Sequence, residues 1–278
     1  MPQPLQDKVA VVTGASMGIG EAMARLLVEQ GASVVLTSRE AARAEAARAR
    51  LARPEKTLAL HCDVRNREEI LRVLSLTLHN FGRVDIWVNN AGHGLIDSVA
   101  QMDMAQCRSL FDTNLFGAIE AMKIVIPVMK RQGSGAIINI SSVAGHVPLP
   151  YAAAYSASKF AMNAMGKAAR VELQASGVHV MTVCPGYIAT GFGRNAIQGT
   201  DRQRLSEAGR RGASPEQVAR ATLDGYLKNK REVVVPWYYH LAIKMYQLFP
   251  AVVEWGMSRR LRPADQVIAE AEAARREK

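Results

Sequence analysis

Cysteine is scarce in this 278-residue chain. Cys62, Cys107 and Cys184 are scattered, odd in number and never arranged as C-x-x-C, which excludes a disulfide scaffold and points to a reduced, cytoplasmic compartment. Zinc-finger spacing is equally missing, and the six histidines show no metal spacing, so no metal site is expected. No stretch reads as a membrane-spanning helix, and the opening MPQPLQDKVAVV lacks the basic segment and apolar core of a signal peptide. Acidic residues are in deficit, 25 against 35 Lys and Arg, giving a formal charge of +10. The basic residues are dispersed and no nucleic-acid motif accompanies them, so they read as a solvated surface that attracts an anionic cofactor.

What is present suffices for a full core. At 49% hydrophobic and 22% charged the chain is neither disordered nor fibrous, and its length fits one α/β domain. Apolar runs of strand length recur at Lys8 to Gly14, Ser33 to Ser38, Thr57 to Asp63, Val84 to Asn90, Gly135 to Ser142, Val178 to Cys184 and Glu232 to Val235. Helical stretches are expected between them, at Gly18 to Gln30, Glu40 to Ala52, Glu68 to Asn80, Asp103 to Lys130 and Pro150 to Ala175. A further one is expected at Pro215 to Leu227, capped by Ser214. Runs such as VAVV, SVVL and AIINI suit strands buried on both faces, the mark of a parallel sheet. Alternation with helices then predicts a doubly wound, Rossmann-type, seven-stranded parallel sheet with helices on both faces. We divide the chain into a catalytic domain at residues 1–236 and a helical extension of it at 237–278.

The first run ends in Thr13-Gly14-Ala15-Ser16-Met17-Gly18-Ile19-Gly20, with a helix directly after it. Glycines at that spacing let the backbone turn tightly and approach a pyrophosphate, which then rests on the amides and positive end of the helix. At the end of the second run, where a carboxylate would hold the ribose hydroxyls, stand Thr37-Ser38-Arg39. A guanidinium there pairs with a 2'-phosphate, so NADP is expected in preference to NAD. The plainer reading makes Arg39 the opening of a solvated Arg-rich helix.

Tyr155 and Lys159 stand four residues apart and so share one helix face. A phenol has an ordinary pKa of about 10, and a nearby cation is expected to lower it toward a useful range. By itself such a pair is common on helix surfaces. Together with the glycine turn, Asn89-Asn90-Ala91-Gly92, Asn114, Ser141-Ser142 and Pro185-Gly186-Tyr187-Ile188-Ala189-Thr190, the chain resembles the short-chain dehydrogenase/reductase family from about Lys8 to Thr190.

That resemblance implies an enzyme that interconverts a carbonyl and an alcohol with a nicotinamide cofactor. It implies Asn114, Ser142, Tyr155 and Lys159 as the catalytic set: Tyr155 the acid/base, Ser142 orienting the carbonyl, Lys159 on the nicotinamide ribose, and Asn114 holding a relay water. Cofactor contacts are implied at Gly14, Ser16, Met17, Gly18, Ile19, Gly20, Ser38, Arg39, Asp63, Val64, Asn90, Ala91, Gly92, Pro185, Gly186, Ile188 and Thr190, besides Tyr155 and Lys159. Met17 stands where phosphate-binding relatives often carry Lys or Arg. His93, Val143, His146, Tyr187 and Phe192 are the candidates for the substrate pocket.

Beyond the last strand run, Trp237 to Met257 is apolar around most of a helical circumference, with Pro250 expected to break or restart the helix. We expect this surface to close the substrate end of the cleft and to enter a homodimer or larger homo-oligomer. The alternative is peripheral membrane contact through residues 237–262, where Arg259, Arg260 and Arg262 suit anionic headgroups. A small apolar carbonyl or alcohol, such as a steroid, retinoid or acyl compound, is the expected substrate. The rival functions are reduction of 3-oxoacyl groups on an acidic carrier, drawing on Arg194, Arg202, Arg204, Arg210 and Arg211, and non-catalytic NADP sensing.

Overall fold

The β-branched run Val9–Val12 forms β1, and its alternate residues enter different cores. Ala10 and Val12 pack under Met23 and Leu27 of α1 (Gly18–Glu29), whereas Val11 packs on the opposite face with Ile70 and Leu74 of α3 (Arg67–Phe81). Period two with both faces buried is what a central parallel strand requires. The structure, a computed structural model, describes residues 3–51, 53–188, 196–199 and 212–259.

The elements between are β2 (Ser33–Ser38), α2 (Ala41–Ala49), β3 (Thr57–His61), β4 (Ile86–Asn89), β5 (Leu95–Ile96), α4 (Met104–Phe111), α5 (Gly117–Gln132), β6 (Gly135–Ile140), α6 (Ala153–Glu172), β7 (Val178–Pro185) and β8 (Ile197–Gln198). They are followed by α7 (Pro215–Leu227), β9 (Glu232–Val235), α8 (Tyr239–Leu248) and α9 (Pro250–Ser258). Seven strands make one parallel sheet in the order β3-β2-β1-β4-β6-β7-β9. The chain winds outward from β1 to β3 and then crosses to β4, so the strand order reverses between β1 and β4. Ligands of such sheets bind at that reversal, outside the carboxyl ends of the strands. Helices α1 and α7 cover one face, and α3, α5 and α6 the other.

Three expectations are corrected. The helix expected from Asp103 to Lys130 is interrupted by a π turn at Asp112–Phe116, the kind of local widening often found at functional sites. The helix expected from Pro150 begins at Ala153, because Tyr151 takes a left-handed φ of 60°. Residues 95–96 and 197–198 add a second, two-stranded parallel sheet beside the cleft. Ser214 caps α7 in a reciprocal capping box with Gln217, and Pro215 occupies the first turn as expected.

After Pro236 the chain turns back over the sheet. Tyr239 and Ile243 of α8 pack with Val143, Val147, Cys184 and Val234, while α9 buries no side chain completely. Trp237, Tyr238, Leu241, Leu248, Phe249, Val252 and Trp255 remain exposed. Among the described residues, no helix is long and apolar enough to cross a membrane.

Candidate active site

The turn after β1 is braced from the neighbouring strand. Thr13 Oγ1 donates to the Val88 carbonyl at 3.1 Å and accepts the amides of Asn90 and Ala91 at 3.0 and 3.1 Å. Asn90 Nδ2 donates in return to the carbonyls of Thr13 and Gly14 at 2.9 and 3.0 Å. Gly14 has φ +63°, and a Cβ there would lie 2.8 Å from the Ala91 Cα, so both conformation and space demand glycine. Met17 supplies no side-chain cap to α1, so its first amides suit a pyrophosphate held at the helix N-terminus.

Ser38 closes β2 with its Oγ accepting the Glu40 amide at 3.3 Å, and Arg39 is exposed beside it. The Arg65 guanidinium grips Asp63 at 3.0 Å through Nε and, helped by Arg39, holds that carboxyl below its usual range. Asp63 is therefore held as a paired carboxylate. Val64 is buried beneath it.

On the other side of β4, β6 ends and delivers Ser141 and Ser142. Ser142 Oγ donates to the Pro185 carbonyl at 3.3 Å, accepts the Ala144 amide at 3.0 Å, and also hydrogen-bonds the Tyr155 phenol. Lys159, on the same face of α6, is 5% exposed and donates to the Ile140 carbonyl at 2.9 Å. The expected lowering of the phenol by Lys159 is not what the geometry produces. Burial pushes Tyr155 up to about 12, against the downward pull of Ser142, and brings Lys159 down to about 8. The ammonium sits 5.8 Å from the ring centroid, tied to a strand carbonyl, so desolvation wins for both groups.

Asn114 lies in the π turn with its amide fully engaged. Oδ1 accepts the His93 amide, while Nδ2 donates to the His93 carbonyl at 2.9 Å and to Ser158 Oγ at 3.4 Å. His93 is half-buried, and burial keeps its imidazole below its ordinary pKa. Val143 is buried, and Tyr187 is exposed with its amide 3.5 Å from Tyr239 Oη. His146 was expected at the substrate pocket. Its imidazole is only 8% exposed and faces Cys184 and Glu232. Ile188 bridges to Ala213; Thr190 and Phe192 lie outside the described residues.

Sequence reasoning passed over two residues. Tyr239 packs so closely on Gly186 that a Cβ there would come within 2.1 Å of the ring, and Glu232 reaches His146 at 3.2 Å. In sequence one is another aromatic in an aromatic-rich tail and the other an ordinary charge at a strand edge.

The model of the family described as short chain dehydrogenase matches residues 8–201. An uncharacterized oxidoreductase of Staphylococcus epidermidis is 36% identical over 197 residues, which is 71% of this chain and 83% of that protein. The ketoacyl reductase HetN of Nostoc sp. is 35% identical over 234 residues, 83% of this chain and 79% of that protein. Among solved structures, a short chain dehydrogenase/reductase from Burkholderia phymatum in complex with NAD superposes with a TM-score of 0.78, covering 89% of this chain and 95% of that one. At 21% identity it bears on the fold alone.

Proposed function

The chain belongs to the short-chain dehydrogenase family and is an oxidoreductase of that type; from this premise we propose that it interconverts a lipophilic ketone or aldehyde and its alcohol with NADP(H). The observation that carries the reading is the hydrogen bond between Ser142 and Tyr155, with Lys159 beneath, opposite the glycine cradle. When bound, the nicotinamide supplies or takes up the hydride. In reduction, the Ser142 hydroxyl turns from the Pro185 carbonyl to donate to the substrate oxygen, and Tyr155 gives that oxygen its phenolic proton. A phenol held protonated by burial suits the acid role that reduction requires. Lys159 positions the nicotinamide ribose and, while charged, offsets the phenolate left behind. In oxidation the same phenolate takes the alcohol proton. Because the Asn114 amide is committed to His93, the relay water falls to its main-chain carbonyl within the π turn.

NADP rather than NAD is supported by Ser38 standing where an acid would bind the ribose and by the exposed Arg39. Substrate contacts are assigned to Val143, Tyr187 and His93, with α8 closing the far end of the cleft through Tyr239. We take residues 237–278 as an extension of one catalytic domain, helical at Tyr239–Leu248 and Pro250–Ser258 among the described residues, and its exposed apolar face takes part in a homo-oligomer of a cytoplasmic enzyme. The bilayer alternative draws on the same exposed residues together with Arg259. Reduction of carrier-bound 3-oxoacyl groups is the second reading, favoured by the similarity to a ketoacyl reductase.

The test is NADPH oxidation with a panel of steroid, retinoid, acyl and small aliphatic ketones, beside a 3-oxoacyl carrier substrate. Turnover on a free apolar ketone, lost in Tyr155→Phe, supports the first reading. Turnover on the carrier substrate alone selects the second, and none with any carbonyl leaves a binding protein.

A further inference from the structure

Behind the cleft, three side chains from separate segments converge. His146 follows the turn that starts at Ser142, Cys184 lies near the end of β7, and Glu232 opens β9. Their ligand-capable atoms all lie within 4.8 Å of one another. His146 Nε2 is 3.4 Å from Cys184 Sγ and 3.2 Å from Glu232 Oε2. A ring nitrogen carries at most one hydrogen, so Nε2 satisfies at most one of those partners by donation. Glu232 Oε2 is itself buried, and despite the short approach no well-directed hydrogen bond closes on it. One imidazole nitrogen therefore faces a sulfur and a carboxylate oxygen at once, and the buried carboxylate oxygen is left without a hydrogen bond.

A cation would satisfy all three donor atoms together. In a tetrahedral zinc site, with Zn–N and Zn–O near 2.0 Å and Zn–S near 2.3 Å, the N···S edge is about 3.5 Å and the N···O edge about 3.3 Å. Two of the three edges among these ligands thus already have the spacing an ion needs. The third, from Sγ to Glu232, is no longer than 4.8 Å and would need a small rotation of Glu232, whose side chain keeps 26% exposure and offers the route of entry. The donor set, imidazole with thiolate and carboxylate, is one that zinc accepts.

We propose that His146, Cys184 and Glu232 form a binding site for one thiophilic divalent cation, zinc by its donor set, with water as fourth ligand. Thiolate and carboxylate balance the ion's two charges, and the thiol proton leaves to solvent. Without an ion, Asn163 Oδ1, 4.0 Å from Sγ, is the other acceptor for that proton. The ligands are 38 and 48 residues apart in sequence, so no short spacing motif announces them, and the expectation of no metal site is revised on geometry alone. The position gives the ion a consequence. Cys184 precedes Pro185, whose carbonyl accepts from Ser142, and His146 ends the turn that Ser142 begins, so the ion would tie together both segments that hold Ser142.

The experiment is cobalt titration of the untagged, chelator-treated full-length protein, followed by zinc competition. It reads binding directly and does not depend on any substrate assignment. Expected are one cobalt per chain, a thiolate-to-cobalt charge-transfer band, visible bands of tetrahedral intensity, and loss of all of them on adding zinc. Cys184→Ser should remove the charge-transfer band, and His146→Ala and Glu232→Gln should each weaken binding tenfold or more. Lys167→Ala should tighten it severalfold, since Lys167 acts on both Cys184 and Glu232. Zinc should raise the melting temperature of the wild type and leave that of the ligand variants unchanged. Should Cys184→Ser fail to fold, Glu232→Gln, altered at the partly exposed ligand, carries the comparison. A wild type without the charge-transfer band, or a folded ligand variant with unaltered spectrum and affinity, overturns the site.

Discussion

Lys159 Nζ lies 5.8 Å from the centre of the Tyr155 ring and gives its hydrogen bond to the Ile140 carbonyl, at 2.9 Å. The lysine is thus fixed by the sheet and acts on the phenol through space. Burial drives both groups toward their neutral forms, Lys159 down to about 8 and Tyr155 up to about 12.

A stability signature follows from the lysine. Its ordinary value is 10.5, so between about 8 and 10.5 the unfolded chain holds a proton that the folded chain has lost. Stability therefore carries a penalty below about pH 8 that is relieved as pH rises through this window, by about 3 kcal/mol in all. Tyr155 acts oppositely, losing stability as pH rises from 10 to about 12. Urea unfolding at pH 7.5 and pH 10 should show wild type gaining on Lys159→Met over that interval. A parallel pH dependence in the two proteins would mean that Lys159 is not held against its charge.

Replacing Tyr155 by Phe removes only the hydroxyl that Ser142 contacts. Cofactor affinity should stay within about threefold while kcat falls by at least two decades, the usual worth of a general acid. Fluorescence titration with NADPH, next to steady-state rates, checks both halves. Retained kcat in a folded variant would move the proton donor elsewhere.

Much of this was legible because the physics is local or repetitive. Val9–Val12, Ser33–Ser38 and Gly135–Ile140 announce buried parallel strands by unbroken β-branched runs, and Gly14 announces its turn because only glycine fits beside Ala91. The π turn at Asp112–Phe116 was hidden, since one widened turn scarcely alters a helical period. Two-residue strands such as Leu95–Ile96 are too short to show any period. Tyr239 and the group of His146, Cys184 and Glu232 were invisible for another reason: their partners are distant in sequence, and only the folded chain brings them together.

Arg39 sets the cofactor preference if its guanidinium meets the 2'-phosphate. Loss of one charge-assisted contact costs about 1.5 to 3 kcal/mol, a tenfold to hundredfold loss of affinity. Arg39→Ala should weaken NADPH by that factor and leave NADH nearly untouched. Equal loss for both cofactors would reduce Arg39 to a surface residue of the α2 entry.

Gly186 and Tyr239 give the tail a direct test. Gly186 does not take a positive φ, so alanine there meets no backbone strain, and the three atoms nearest the added Cβ all belong to the Tyr239 ring, the first at 2.1 Å. Gly186→Ala should therefore cost about 1 to 3 kcal/mol, the usual penalty of overpacking, by lifting α8 from Val143 and Cys184. Tyr239→Ala should loosen the same helix by removing its anchor. The double variant should be more stable than the sum of the two losses predicts, because the clash needs both partners. On the proposal that α8 closes the substrate end of the cleft, turnover of bulky apolar ketones should fall in Tyr239→Ala more than turnover of small ones. Strictly additive losses in a urea double-mutant cycle would show that Tyr239 does not dock on Gly186, and an even loss across ketone sizes would remove α8 from the substrate pocket.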